Sequence, residues 1–167
     1  MSTAVTIVMV EDDHGHAKLI EKNIRRANIS NEIRHFADGS SALDYLFSEE
    51  VKANGPMLVL LDLNLPDMQG TDILAKLKAD ERLKRAPVVV LTTTDDKVEI
   101  QRCYDLGCNV YITKPVDYEA FAGAIRQLGL FLSVMQAPDI GWKRPGTEFG
   151  CSTSTTTGAF PGWSRRN

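Results

Sequence analysis

Cysteine is scarce. Cys103, Cys108 and Cys151 are the three in 167 residues, an odd, low number that speaks against a disulfide-stapled scaffold and suits a reducing cytoplasm. Long apolar runs are missing as well: nothing approaches the roughly 18–20 residues of a membrane span. Met1–Ala4 offers no basic charge ahead of the short Val5–Val10 run, so no signal peptide is expected. Basic charge is also lacking where a nucleic-acid partner would need it. The formal charge of −3 divides unevenly, because residues 143–167 hold Lys143, Arg144, Arg165 and Arg166 against Glu148, whereas residues 1–142 hold 15 basic and 21 acidic side chains. A body this acidic is a poor candidate for non-specific nucleic-acid binding, which rests on basic side chains neutralising phosphates; neither nucleic acid nor, given the missing apolar runs, membrane is expected as a partner. With 43% hydrophobic and 25% charged residues, the chain has the make-up of a globular domain. Its length is about one domain's worth.

Residues 4–10, AVTIVMV, form a β-branched run that stops at Glu11-Asp12-Asp13, the pattern of a buried strand with acids at its carboxyl end. Asp13 is placed to cap a helix in which Ala17, Ile20, Ile24 and Ala27 recur at steps of three and four. A second strand is expected over 31–36, then a break at Asp38-Gly39 and a helix through Ala42, Leu43, Leu46 and Phe47. Met57–Leu61 reads as a third strand ending at Asp62, followed by a loop bounded by Pro66 and Gly70 and a helix marked by Ile73, Leu74 and Leu77. Pro87–Leu91 reads as the fourth strand, leading through Thr92-Thr93-Thr94 into a helix over about 95–106 that Gly107 ends. Asn109–Ile112 is the fifth, and the last helix starts near Asp117. Five strands alternating with five helices predict a doubly wound α/β fold, a parallel sheet covered on both faces.

The character changes near Pro138. From Arg144 to Asn167, Gly, Pro, Ser and Thr supply 14 of 24 residues, too little apolar surface to offset ordering entropy. The expected organisation is a single domain over 1–137 and a flexible tail, or cloning-derived extension, over 138–167. No helix-turn-helix pattern and no second alternation follow residue 137, so no DNA-binding output is expected.

In open α/β sheets, ligands bind outside the carboxyl ends of the strands. The residues ending the strands are Glu11 and Asp12, Asp62, Thr92 and Lys114. Clustered carboxylates disfavour one another's ionisation unless a cation intervenes, and hard oxygen ligands with open positions favour Mg²⁺. A carboxylate facing such a metal can act as a nucleophile and form an aspartyl phosphate, with metal and ammonium stabilising the transferring group.

VEDD (Val10–Asp13), LLDLNLPDMQG (Leu60–Gly70), VVVLTT (Val88–Thr93) and YITKP (Tyr111–Pro115), in this order and spacing, resemble the receiver domain of two-component response regulators over residues of about 4–136. ALDYLF, LTTT and VYITKP further resemble the single-domain regulators that partner bacterial phytochrome kinases. The resemblance implies a flavodoxin-like strand order of 2-1-3-4-5 and a cytoplasmic protein that takes a phosphoryl group from a sensor histidine kinase, a bacteriophytochrome among the candidates. It implies Asp62 as phosphoacceptor, and Mg²⁺ held by Asp12, Asp62 and the Asn64 backbone carbonyl, with Glu11 acting through water. Thr92 and Lys114 would bind phosphoryl oxygens, Thr92 and Tyr111 would form the conformational switch, and the bond before Pro115 would be cis. Signalling would run through protein contacts, the downstream target being open; a phosphorelay intermediate or phosphate sink is the alternative output. No turnover substrate is expected. A phosphohydrolase with an aspartyl-phosphate intermediate is the rival from another class, disfavoured because a second Asp two residues after the nucleophile is replaced by Asn64.

Two positions depart from the family pattern. The first acid is Glu11, and Thr93 stands where a smaller residue is usual, which would narrow access to Asp62. His14 and His16 fall on different helix faces and read as solvated; Cys103 and Cys108 read as ordinary thiols. On the last helix, Phe121, Ile125, Leu128 and Leu132 fall within about 40° of one direction and form a core stripe. Leu130 and Val134 lie opposite with Phe131 on the flank, which predicts a homodimer through this face.

Overall fold

The computed structural model describes residues 5–53, 55–115 and 117–134, the side chains of 52, 53, 118 and 128–134 excepted. The tail expected over 138–167 lies outside these residues. Strands β1 (Thr6–Val10), β2 (Ile33–Phe36), β3 (Met57–Leu61), β4 (Val88–Thr92) and β5 (Val110–Thr113) form one sheet in the order β2-β1-β3-β4-β5. All four pairings are parallel. Helices α1 (His14–Arg26), α2 (Gly39–Leu46), α3 (Glu49–Ala53), α4 (Gly70–Ala79), α5 (Lys97–Leu106) and α6 (Tyr118–Val134) connect and follow the strands.

The central strands β3 and β4 are buried throughout, which is why their sequences are runs of Met, Leu and Val, with Thr92 alone at the end of β4, rather than alternations. The strand period of two sorts each run between two cores. Val8, Val10, Val59, Leu61, Val88 and Val90 pack with Ala42, Leu46, Ile73, Leu74, Leu77 and Cys103, the α2, α4 and α5 side. Ile7, Met9, Leu58, Leu60, Val89 and Leu91 pack with Ile20, Ile24, Phe121 and Ile125, the α1 and α6 side. The edge strands β2 and β5 are only half-buried.

Aspartates set the helix starts. Asp13 accepts from the His16 amide at 3.0 Å, Asp38 from Ser41 at 2.7 Å, Asp96 from Val98 at 3.1 Å and Asp117 from Ala120 at 3.0 Å. Gly107 ends α5 at φ 110°, the left-handed conformation that glycine adopts without cost.

The sequence predicts five helices and the described residues form six. The additional one, α3, has five residues, too few to show a 3.6-residue period, yet Val51 on it is fully buried in the α2–α4 core. β5 begins one residue later than expected because Asn109 is used otherwise: its amide donates to the Val88 carbonyl at 2.9 Å and its side chain accepts from the Val88 amide at 2.8 Å.

Candidate functional site

The sheet register brings the strand-end residues together. β1 lies between β2 and β3, so Glu11 follows β1 with its amide bonded to the Phe36 carbonyl, while the Asp62 amide is bonded to Val10, both at 3.0 Å. β4 pairs β5 through Thr92 and Thr113, which leaves Lys114 as the next residue past the sheet edge.

From there Lys114 turns inward. Its Nζ donates to Glu11 Oε1, to Asp62 Oδ2 at 3.3 Å and to His16 Nδ1 at 3.1 Å. Lys114, Glu11 and Asp62 are all buried, whereas Asp12 is exposed at the mouth. Glu11, Asp12 and Asp62 each offer an oxygen within 4.8 Å of the other two. Three hard oxygens, one of them open to solvent, match what Mg²⁺ requires. Burial pushes the Glu11 carboxyl up to about 7, against the pull of the Lys114 ammonium.

The Thr92 hydroxyl is fully buried and without a hydrogen-bond partner among the described residues. An orphaned hydroxyl is costly, and an incoming acceptor oxygen would satisfy it. The Asn64 amide donates to Asp62 Oδ1 at 3.3 Å, orienting the carboxylate from the loop side. Tyr111 is half-buried, and its hydroxyl donates to the Thr94 carbonyl at 2.6 Å, tying β5 to the β4–α5 loop. Burial pushes its phenol up to about 12. Thr93 is exposed.

The structure thus assembles Glu11, Asp12, Asp62, Thr92 and Lys114 at one end of the sheet, as the sequence predicts, with Asn64 and Tyr111 flanking them. The side chains of Leu130, Phe131 and Val134 lie outside the described residues.

Two expectations need correction. The described peptide bonds include no cis bond, so Lys114–Pro115 is trans, the intrinsically favoured isomer even before proline. His14 is exposed, but His16 is not simply solvated: it touches Lys114, and its ring stacks on Phe121 with centroids 5.4 Å apart. Helix spacing separated the two histidines correctly; nothing in the sequence indicated that α6 and Lys114 would meet the second. Cys103 and Cys108 are buried free thiols, as expected, and burial pushes Cys103 up to about 11.

Sequence reasoning missed Gly70 as more than a loop boundary. A Cβ there would lie 2.3 Å from the Asp62 carbonyl oxygen and 2.6 Å from Leu63 Cα. The Gly70 amide donates to the Leu63 carbonyl at 2.7 Å, so α4 starts directly against the backbone that carries Asp62. The Pro-to-Gly bounded loop after Asp62 was the available signal.

Among the described residues no helix is long and apolar enough to cross a membrane. Residues 7–126 match the response regulator receiver domain family. Among curated proteins, the chain is 36% identical over 139 residues to the probable methanogenesis regulatory protein FilR2 of Methanothrix harundinacea, covering 83% of this chain and 85% of that one. It is 37% identical over 110 residues to the response regulator Rcp1 of Synechocystis sp., covering 65% and 75%; a Mn²⁺-bound structure of response regulator Rcp1 is similar with a TM-score of 0.73, at 31% identity over 80% of this chain and 99% of that one. A response regulator receiver domain from Rhodospirillum rubrum is 66% identical, with a TM-score of 0.79 over 83% of this chain and 100% of that one. The phosphorylated cyanobacterial phytochrome response regulator RcpA is 35% identical, with a TM-score of 0.74 over 81% and 99%. By family match, fold and assembled site, the chain belongs to the response regulator receiver domain family of two-component systems.

Proposed function

We propose that this protein accepts a phosphoryl group from a sensor histidine kinase on Asp62 and signals through the conformational change that follows. The observation that carries the reading is the grouping of Asp62, Lys114, Glu11 and Asp12 around one pocket, with the unpartnered Thr92 hydroxyl on the adjoining strand. An Asp62 carboxylate oxygen attacks the donor phosphorus; the donor's P–N bond breaks, a P–O bond forms, and Asp62 becomes an acyl phosphate. The Lys114 ammonium, already 3.3 Å from Asp62 Oδ2, exchanges that contact for a phosphoryl oxygen. Thr92 donates its hydroxyl to a second one. Asp12, Asp62 and the Asn64 carbonyl would hold Mg²⁺ directly, with Glu11 acting through water; the bound ion would offset the charge of the carboxylates and the incoming phosphoryl group.

Movement of Thr92 toward the phosphoryl oxygen frees space beside β5. Tyr111 then exchanges its bond to the Thr94 carbonyl for an inward position, a shift between two populated packings. The changed surface reaches a downstream protein, and self-association through the last helix belongs to the same reading. No turnover substrate is involved. The likeness to the phosphorylated cyanobacterial phytochrome response regulator RcpA supports a phytochrome-type kinase as donor, and the reading sets the protein in the cytoplasm. The test is phosphotransfer from an autophosphorylated bacterial phytochrome kinase in Mg²⁺. Label should move to the wild-type chain within minutes and not to Asp62→Asn; retention of all label on the kinase would overturn the proposed donor.

A further inference from the structure

An ammonium carries three protons, and Lys114 has three acceptors. Two of them, Glu11 and Asp62, belong to the phosphorylation site. The third is Nδ1 of His16, on the first turn of α1, at 3.1 Å. Because an ammonium only donates, Nδ1 must present its lone pair, which places the proton of the neutral ring on Nε2. The ring is held on its other side by Phe121 of α6, stacked at 5.4 Å with planes 22° apart, and Phe121 is itself buried. The His16 amide donates to Asp13 Oδ1 at 3.0 Å, which fixes the turn that carries the ring. The charged groups facing the imidazole among the described residues are Lys114 from the β5–α6 connection and Asp13, whose Oδ2 lies 3.9 Å from the same Nδ1. Phe121 faces it from α6 without charge.

We propose that His16 is a positioning residue for phosphoryl transfer, its neutral imidazole holding the third ammonium proton of Lys114 so that the lysine stays aimed at Asp62. A lysine side chain is a point charge on a flexible four-carbon stem. Glu11 and Asp62 both draw it from the sheet side, and His16 supplies the restraint from the helical layer. When the Asp62 contact is exchanged for a phosphoryl oxygen, Glu11 and His16 remain as the two fixed acceptors. The inference rests on Asp62 being the acceptor, and the experiment separates the two.

The experiment compares wild type, His16→Ala and His16→Gln as the full chain. Phosphorylation by acetyl phosphate with Mg²⁺ is followed at one fixed pH, beside ¹⁵N spectra of the lysine ammonium groups in the unphosphorylated protein. Loss of the hydrogen bond in His16→Ala should slow phosphorylation by about three- to tenfold. His16→Gln, which keeps an acceptor, should recover most of the rate. The Lys114 ammonium signal should be sharp in wild type and His16→Gln and broadened by exchange in His16→Ala. Equal rates in all three proteins, or equal slowing in both variants, would overturn the inference. If His16→Ala fails to fold, His16→Gln decides alone: a near wild-type rate with a sharp Lys114 signal supports the inference, and a slowed rate with a broadened signal overturns it. If wild type takes up no label, the reading of Asp62 fails, and a Lys114 signal unchanged in the variants would then dispose of the His16 contact separately.

Discussion

Gly70→Ala tests how closely the β3–α4 connection is fitted around Asp62. The added Cβ would sit 2.3 Å from the Asp62 carbonyl oxygen, about 1.1 Å inside ordinary contact at 3.4 Å, and 2.6 Å from Leu63 Cα. Both atoms are backbone, so no rotamer change can relieve the overlap. Such overpacking costs about 1–3 kcal/mol. The gain in helix propensity from alanine at the first residue of α4 offsets at most about 1 kcal/mol. A net loss of about 1–2 kcal/mol should lower the urea midpoint by roughly 0.5–1 M. The relieving movement must push the Asp62 backbone or the start of α4, and a shift of the nucleophile by about 1 Å costs on the order of a hundredfold in rate. Phosphorylation by acetyl phosphate in Mg²⁺ should therefore fall by at least tenfold under conditions where the variant is folded. Gly39→Ala is the control, since its Cβ would meet Met68 at 2.4–2.5 Å; that side chain is flexible and can swing aside. Should Gly70→Ala keep the wild-type midpoint and rate, or Gly39→Ala prove the more damaging, the packing argument is wrong.

Lys114→Met should leave Glu11 and Asp62 buried without their shared cation and destabilise the metal-free protein, most strongly above pH 7 where Glu11 would otherwise ionise beside the ammonium; an unchanged urea midpoint at pH 8 in EDTA would contradict this. Burial holds the Glu11 carboxyl at about 7, above its usual 4.5, so the folded state binds the extra proton between these values. The metal-free protein should be stabilised below pH 4.5 and lose that increment, on the order of a few kcal/mol, as pH rises to about 7. Glu11→Gln should flatten the dependence in denaturation curves recorded from pH 4.5 to 8, and an equally steep curve would refute the assignment. Asp12→Ala should remove Mg²⁺ binding measured by calorimetry. Asp13→Ala should preserve it and cost about 0.5–2 kcal/mol through the lost α1 cap; equal loss of affinity in both would show the register of the acidic pair to be wrong.

Much of the architecture was legible because its determinants are local. The apolar runs of β3 and β4, the aspartates that begin α1 and α6, and Gly107 at the end of α5 each state their role within a few residues. Bringing Glu11, Asp12, Asp62 and Lys114 to one end of the sheet, with Thr92 at the end of the adjoining strand, needed only the rule that ligands bind past the carboxyl ends of parallel strands. The short α3 escaped because five residues carry no readable period. His16 and Gly70 escaped for another reason. Their roles are set by contacts across 98 residues to Lys114 and by the close approach of α4 to the β3 end, and neither leaves a mark in local composition.

Mass mapping of the phosphorylated residue tests the central claim most directly. The chain would be incubated with acetyl phosphate and Mg²⁺, the acyl phosphate trapped by borohydride reduction, and the peptides sequenced by mass spectrometry. The modification should fall on Asp62, should require Mg²⁺, and should be absent from Asp62→Asn folded as the wild type. Modification at another residue, or uptake by Asp62→Asn at the wild-type rate, would contradict the account.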